Sequence, residues 1–174
     1  MDNKLWEKAV NFHGHECGGL ALGVRAAMEV MTRWNVHPAQ DEDIVCITEN
    51  DACGVDGVQA LLGCTLGKGN LVYHGTGKMA FNFYNRKTGE RFRLMAKPKK
   101  EGLRGEDYRK FVLDGPLEET FKVCETKIPM PEKARSMETI ICKICGEGAP
   151  ENKIRIQGGK TVCLDCLEEY NRGW

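Results

Sequence analysis

The stretch FHGHECGGLALG, from Phe12 to Gly23, concentrates metal-binding and nucleophilic side chains at the start of a predicted helix. His13, His15 and Cys17 occupy alternate positions, so an extended segment would direct all three side chains to one face. Cys17 would then lie at the helix N-terminus, where unpaired backbone amides stabilise a thiolate. The pattern predicts a transition-metal site or a nucleophilic cysteine with a histidine base. In the plainer alternative, one histidine caps the turn, the other packs in the core, and Cys17 is a small buried apolar residue.

A second group of polar and thiol side chains follows a predicted strand, in the sequence ENDACGVDGVQALLGCTLGKGN. Cys53 and Cys64 flank a short predicted helix, and Glu49 or Asp56 is the candidate carboxylate that orients a histidine. The GKGN turn lacks the Ser or Thr of a phosphate-binding P-loop, which disfavours nucleotide hydrolysis. Mixed thiol and imidazole ligands favour zinc, nickel or copper, with zinc first by availability.

Two alternative assignments of the front residues therefore remain open. As a second metal site, the candidate ligands are His13, His15, Cys17, Cys53 and Cys64. As an enzyme active site, the candidate catalytic residues are Cys17, His13 and His15.

The C-terminal cysteines form a zinc-ligand pattern of high specificity. Cys142, Cys145, Cys163 and Cys166 have the spacing C-x2-C-x17-C-x2-C, which is typical of a tetrahedral four-thiolate site. Four thiolates leave no open coordination position, so this zinc is predicted to be structural. Between the two pairs, KIRIQGGKTV predicts a hairpin and CLEEYNR a helix, as in a treble-clef or zinc-ribbon module.

The pattern of apolar residues predicts an α+β core domain with a long N-terminal helix and an antiparallel hairpin. The predicted elements are a helix at Gly18–Trp34, a strand at Asp43–Thr48, a helix in VDGVQALLG capped by Asp51 or Asp56, a hairpin within Leu71–Met95, and two short helices in GEDYRKFVL and PLEETFKVC. Cys46 and Cys124 are predicted to be simply buried.

Composition divides the chain into a core domain at residues 1–125, a proline-containing linker or arm at 126–138, and a zinc-finger domain at 139–174. The last domain is too short to fold on hydrophobic burial alone and needs its metal.

Charge and hydropathy exclude several classes of function. The chain has 174 residues with 25 basic and 25 acidic side chains, so no long-range attraction to nucleic acid is expected. No apolar run predicts a membrane span or signal peptide, so a cytoplasmic location is expected. In a reducing compartment, nine cysteines indicate metal ligands or reactive thiols rather than disulfides. The basic stretch at residues 86–104 is a solvated hairpin face or, alternatively, receives an anionic ligand.

The motif FHGHECGGLALGVRAA, the spacing of Glu49, Cys53, Asp56 and Gln59, the GCTLGKGN turn and the C-terminal cysteine module together resemble the FmdE-like family, which is named for a component of formylmethanofuran dehydrogenase. That family usually has proline where this chain has Gly18. The resemblance implies an α+β core with a zinc-finger tail, a homodimer in which the tail reaches the partner's site, and association with molybdenum or tungsten enzymes acting on one-carbon substrates.

The resemblance implies no settled reaction, because the catalytic subunits of the complex that names the family are other chains. The first hypothesis is a metal-binding accessory protein of a molybdenum or tungsten oxidoreductase. The alternative is a small cysteine-dependent enzyme acting on a formyl, acyl or pterin-like compound.

Overall fold

The computed structural model describes residues 3–38, 41–170 and 172, and the chain forms two compact units at Met1–Ala134 and Arg135–Trp174. In the first unit, helices pack on a five-stranded sheet; in the second, two short hairpins carry the C-terminal cysteines. The predicted α+β class is confirmed. None of the helices in the described residues has the length and apolar character needed to cross a bilayer.

The helices of the first unit supply most of its apolar core. They are α1 (Asn3–His13), α2 (Gly18–Trp34), α3 (Gly54–Leu62), α4 (Gly105–Asp114) and the short α5 (Leu117–Thr120). The predicted bounds of α2 are confirmed, and its buried side chains follow the apolar spacing of the sequence. Helix α1 was not predicted, although Leu5, Trp6 and Val10 pack against the core from one of its faces.

The sheet of the first unit has the strand order β2-β1-β3-β4-β5. Its strands are β1 (Ile44–Thr48), β2 (Leu71–Tyr73), β3 (Ala80–Asn85), β4 (Arg91–Ala96) and β5 (Phe121–Cys124). Strands β1 and β2 are parallel and the other pairs are antiparallel. The predicted strand β1 and the β3–β4 hairpin are confirmed.

The two faces of the sheet are covered differently. Phe81, Phe83 and Leu94 on one face join the helices in the main core. On the opposite face Tyr84 packs with β1 side chains and with Ile128. Its hydroxyl donates to the Ile128 carbonyl oxygen at 2.7 Å, so part of the predicted linker lies along this face of the sheet.

Helices α2 and α3 approach so closely that a glycine is required at their crossing. A Cβ atom added to Gly23 would lie 1.8 Å from the Gly54 carbonyl oxygen, and one added to Gly57 would lie 2.6 Å from the Val24 amide nitrogen. Both obstacles are backbone atoms, which cannot rotate away. The crossing brings the N-terminus of α3 next to the N-terminus of α2.

Three predictions about local structure in the first unit were wrong. The segment PLEETFKVC is helical only to Thr120; its second half is strand β5, because Phe121 and its neighbours pair with the exposed edge of β4. The N-cap of α3 is Cys53, not Asp51 or Asp56. Cys124 is half-buried and lines a cavity, whereas Cys46 is fully buried as predicted.

The second unit consists of two antiparallel hairpins. Strand β6 (Thr139–Ile141) pairs with β7 (Gly148–Pro150), and β8 (Ile154–Gln157) pairs with β9 (Lys160–Cys163). The predicted KIRIQGGKTV hairpin is confirmed. The predicted CLEEYNR helix is wrong over residues 166–170, which form no helix, and Asn171 lies outside the described residues. Paired hairpins without that helix correspond to the zinc-ribbon alternative.

Candidate metal centre

The front motif folds as a helix end followed by a turn and a new helix. His13 is the last residue of α1, and Gly14 then reverses the chain with a φ of 93°, a conformation that L side chains rarely adopt. The predicted extended segment from His13 to Cys17 is therefore wrong. The turn still brings two of its side chains together, because His13 Nε2 lies 3.8 Å from Cys17 Sγ.

Cys17 is the N-cap of α2. Its backbone is extended, and its Sγ accepts a hydrogen bond from the Leu20 amide at 3.2 Å. This sulfur thus occupies the place that a Ser or Asp side chain usually takes at a helix N-terminus. The amide and the helix dipole both favour negative charge there.

Cys53 comes to the same place from α3. His13, Cys17 and Cys53 each offer one ligand atom, and the three atoms lie within 4.8 Å of one another. Gly19 leaves room for this approach, since a Cβ there would lie 3.1 Å from the Cys53 Cβ, which is tighter than nine in ten real Cβ contacts. Burial raises the pKa of the Cys53 thiol, and the neighbouring Cys17 raises it further.

A carboxylate fixes the orientation of the histidine. His13 Nδ1 lies 2.7 Å from Asp56 Oδ2, and the other Asp56 oxygen accepts a hydrogen bond from Gln59 Nε2 at 3.1 Å. Because Nδ1 is paired with Asp56, Nε2 is the ring nitrogen that faces the cysteine sulfurs. Metal-binding histidines in proteins usually donate the N–H of the other ring nitrogen to a carboxylate, a backbone carbonyl or water.

The other predicted site residues lie outside this group of three. His15 is exposed, with its ring centroid 4.4 Å from that of His13. Cys64 is fully buried at the far end of α3 and donates to the Ile44 carbonyl oxygen at 3.4 Å. Burial raises the pKa of the Cys64 thiol to about 12. Glu49 pairs with Arg93 rather than with a histidine.

A cavity of about 360 Å³ opens beside the site and is lined by His13, Cys53 and Asp56. Leu66 and Tyr73 also line it, and both are exposed apolar side chains. The volume lies at the lower end of the range for small-molecule pockets. Sequence reasoning missed Leu66 and Tyr73, because nothing in their local pattern distinguishes them from ordinary loop and strand-end residues.

Gly18, where the family usually has proline, lies under the Tyr108 ring of α4. A Cβ atom at this position would be 2.6 Å from Tyr108 Cδ1. The missing side chain is thus compensated by a packed aromatic ring, and Cys17 still begins the helix with its backbone in the N-cap conformation.

The C-terminal cysteines form the second group of ligand atoms. The four sulfurs of Cys142, Cys145, Cys163 and Cys166 lie within 4.8 Å of one another. Amides of Cys145, Cys163 and Ile144 donate to the Cys142 sulfur and lower the pKa of that thiol to about 6. Four convergent sulfurs with amide donors fit a tetrahedral zinc ion, which the fully thiolate set would hold as a structural ion.

Comparison with known proteins agrees with both units. Residues 12–149 match the family model described as FmdE, Molybdenum formylmethanofuran dehydrogenase operon. The chain belongs to the FmdE family. Within this FmdE chain, residues 137–172 match a second model, the prokaryotic dksA/traR C4-type zinc finger, which supports structural zinc at the four cysteines.

Two individual relatives extend the comparison. A tungsten formylmethanofuran dehydrogenase FmdE-like protein from Syntrophus aciditrophicus has a similar structure, with a TM-score of 0.67 and 26% identity, covering 94% of this chain and 90% of that one. A probable S-adenosyl-L-methionine-binding protein from Archaeoglobus fulgidus is 30% identical over 200 residues. That match covers 96% of this FmdE chain but 53% of the relative, so the chain spans about half of the relative's length.

Proposed function

We propose that this FmdE protein binds a second transition-metal ion in its core unit, through His13, Cys17 and Cys53. The observation that carries the proposal is the orientation of His13, whose Nδ1 is held by Asp56 while Nε2 lies 3.8 Å from the Cys17 sulfur. Two cysteines beside one oriented imidazole form a ligand set for zinc, nickel or copper, and zinc is the first choice by availability.

This site differs from the four-cysteine site in having a place for a further ligand. His13, Cys17 and Cys53 would hold the ion with a position left open, and the ion would supply Lewis-acid chemistry to a molecule bound there. His13 and Cys53 also line the adjacent cavity. The protein's own part is to orient the imidazole through Asp56 and to keep the two sulfurs together.

Cobalt substitution tests the proposal, because Co²⁺–thiolate bonds absorb in the near ultraviolet and identify sulfur ligands. The full chain is stripped of metal and titrated with Co²⁺, beside the variants Cys17→Ser and Cys53→Ser and the control Cys64→Ser. The proposal expects both front variants to lose part of the cobalt–sulfur absorbance and the control to keep it. Equal absorbance in all four proteins would refute the core site.

The second candidate function is a cysteine-dependent enzyme acting on a formyl, acyl or pterin-like compound. It is favoured by the chain of contacts from Cys17 through His13 to Asp56, which has the order of nucleophile, base and orienting carboxylate. The metal proposal accounts in addition for Cys53, which a nucleophilic site does not need. Alkylation of Cys17 that is equally fast with metal and after chelation would favour the enzyme.

The small molecule that enters the front cavity is part of the same proposal. The name of the Archaeoglobus relative suggests S-adenosyl-L-methionine, and the exposed Tyr73 ring offers a stacking surface for a base. Calorimetric titration of the metal-loaded protein with S-adenosyl-L-methionine tests this, with Tyr73→Ala expected to weaken binding. If no binding is measured, S-adenosyl-L-methionine is not the ligand of the cavity, and the cobalt test of the metal site is unaffected.

We further propose a cytoplasmic homodimer that serves as an accessory to a molybdenum or tungsten oxidoreductase of one-carbon or formate type. The support is the family description and the name of the Syntrophus structure. Sedimentation of a monomer at micromolar concentration would contradict the dimer, and failure to copurify with a molybdenum or tungsten enzyme in a native host would contradict the accessory role.

A further inference from the structure

A second cavity, of about 450 Å³, lies on the sheet face opposite the main apolar core. Arg93 of β4 and Cys124 of β5 are cross-strand neighbours, so their side chains lie on the same face, and both line this cavity. None of the front-site ligands His13, Cys17 and Cys53 is among its lining residues. It is therefore separate from the proposed metal centre.

The floor of the cavity is an ion pair without net charge. Arg93 donates from Nε to Glu49 Oε1 at 2.6 Å and from Nη2 to Oε2 at 3.1 Å. These hydrogen bonds are the main reason that the pKa of Glu49 falls to about 2, so the carboxyl group stays ionised at neutral pH. The two charges cancel, and the charge of the cavity is therefore set by the residues of its walls.

The walls of the cavity carry an excess of positive charge. Lys78, Lys122 and Lys127 line it from three separate segments, which are the loop before β3, strand β5 and the arm after β5. The acidic group among the wall residues is Glu125. None of the three lysines forms an ion pair with a carboxylate in the described part of the chain. Their charge is thus available to a ligand.

The arrangement of these lysines favours an anion of the phosphate type. Exposed lysines are ordinary on a protein surface, but these three surround one concavity, and a concave surface of one sign attracts and concentrates the opposite ion. The Nε and Nη2 donors of Arg93, which would suit a planar carboxylate, are occupied by Glu49. The remaining cations are ammonium groups, which bind phosphate oxygens as point charges.

Part of the wall is apolar. Met95 and Ile128 are half-buried and line the cavity. Met95 is the cross-strand neighbour of Lys122, so an apolar surface adjoins one of the charges. The volume lies within the range of small-molecule pockets and exceeds that of a single tetrahedral anion. The cavity therefore has room for an organic group attached to the anion.

We propose that this cavity binds a phosphate-type dianion, either as the free ion or as the end group of a small organic molecule. The wall lysines supply the complementary charge, and the apolar wall residues contact the organic group. Binding through charge implies that a dianion is preferred to a monoanion of the same shape, and that added salt weakens the complex. The proposal does not depend on the metal centre.

The probes are inorganic phosphate, sulfate and methanesulfonate, each titrated into the isotope-labelled full chain while backbone amide shifts are followed by NMR. At about pH 8 phosphate is chiefly a dianion, as sulfate is, whereas methanesulfonate has the same tetrahedral shape with a single charge. The variants are Lys122→Gln and Lys127→Gln, and Lys110→Gln on α4 controls for the change in total charge. We expect saturable shifts at the lining residues with both dianions and weaker binding of methanesulfonate. Phosphate affinity should be about threefold lower in each lining-lysine variant.

AMP distinguishes the two sources of the anion. Tighter binding of AMP than of phosphate supports an organic ester, and binding no tighter than that of phosphate supports the free ion.

Four outcomes would overturn the proposal. The first three are an absence of saturable shifts at the lining residues, methanesulfonate binding as tight as phosphate binding, and phosphate affinity unchanged in both Lys122→Gln and Lys127→Gln. The fourth is an equal loss of affinity in Lys110→Gln, because phosphate would then respond to the total charge of the protein rather than to the lysines of this cavity.

Discussion

Replacing Gly23 with alanine should disrupt both the stability of the core unit and its front site. The added Cβ would lie 1.8 Å from the Gly54 carbonyl oxygen and 2.5 Å from the carbonyl carbon. Real Cβ contacts essentially never fall below 3.0 Å, so α2 and α3 must separate by more than about 1 Å. Cys17 and Cys53 lie on these two helices' N-termini and would separate with them.

The expected loss of stability follows from two opposing effects. Overpacking in a core costs about 1–3 kcal/mol, and this case lies at or above the upper end because the obstacle is backbone. Alanine gains about 1 kcal/mol over glycine inside a helix. The net expectation is a loss of roughly 2–3 kcal/mol in the free energy of unfolding.

Urea unfolding of the metal-free full chain measures this loss, and Co²⁺ titration measures the effect on the front site. The matched control is Gly67→Ala, because a Cβ at Gly67 meets nothing within 4 Å. We expect Gly23→Ala to lower both the unfolding midpoint and the cobalt affinity of the core unit, while the control changes neither. A Gly23→Ala protein as stable as the unaltered one would refute the close packing of α2 on α3.

Three further predictions concern the tail, the buried ion pair and the front thiol. Cys145→Ser should release the C-terminal unit while residues 1–125 stay folded, because zinc binding supplies folding energy only locally; amide exchange that reports joint unfolding would contradict this. Because the pKa of Glu49 is lowered from 4.5 to about 2 by its pair with Arg93, its stabilisation is full above pH 4.5 and lost as pH falls to about 2. In Glu49→Gln, the free energy of unfolding should no longer fall through the titration of Glu49 as the pH is lowered. An acid-unfolding curve identical to that of the unaltered protein would show that the Glu49–Arg93 pair contributes no stability. In metal-free protein, Cys17 should react with iodoacetamide well before the buried Cys46, as peptide mapping would show, and an inert Cys17 would indicate packing only.

Local sequence patterns were sufficient to predict the helices and strands whose apolar residues follow one regular spacing. Helix α2 was predictable because its apolar residues recur at helical spacing, and the β3–β4 hairpin because its residues alternate around a turn. The zinc ligands were predictable because each pair is fixed by a two-residue spacing. In these cases the information lies within a few residues of the structure that it specifies.

The remaining features depend on contacts between distant parts of the chain. Asp56 reaches His13 across 43 residues, and Arg93 reaches Glu49 across 44, so no local pattern identifies either pair. Strand β5 was wrongly predicted as helix. The conformation of Phe121 and its neighbours is set by pairing with the free edge of β4 rather than by their intrinsic propensity. For the same reason the cavity over the Glu49–Arg93 pair is not visible in the sequence, because its walls come from three strands, the loops after β1 and β2, and the arm that follows β5.

Metal content per chain tests the central claim most directly. The full chain is purified without chelator, and zinc, nickel and copper are measured beside the variants Cys17→Ser, Cys53→Ser and Cys64→Ser. We expect about two ions in the unaltered protein and in Cys64→Ser, and about one, held by the four C-terminal cysteines, in each front variant. About one ion in all four proteins would contradict a metal centre at His13, Cys17 and Cys53.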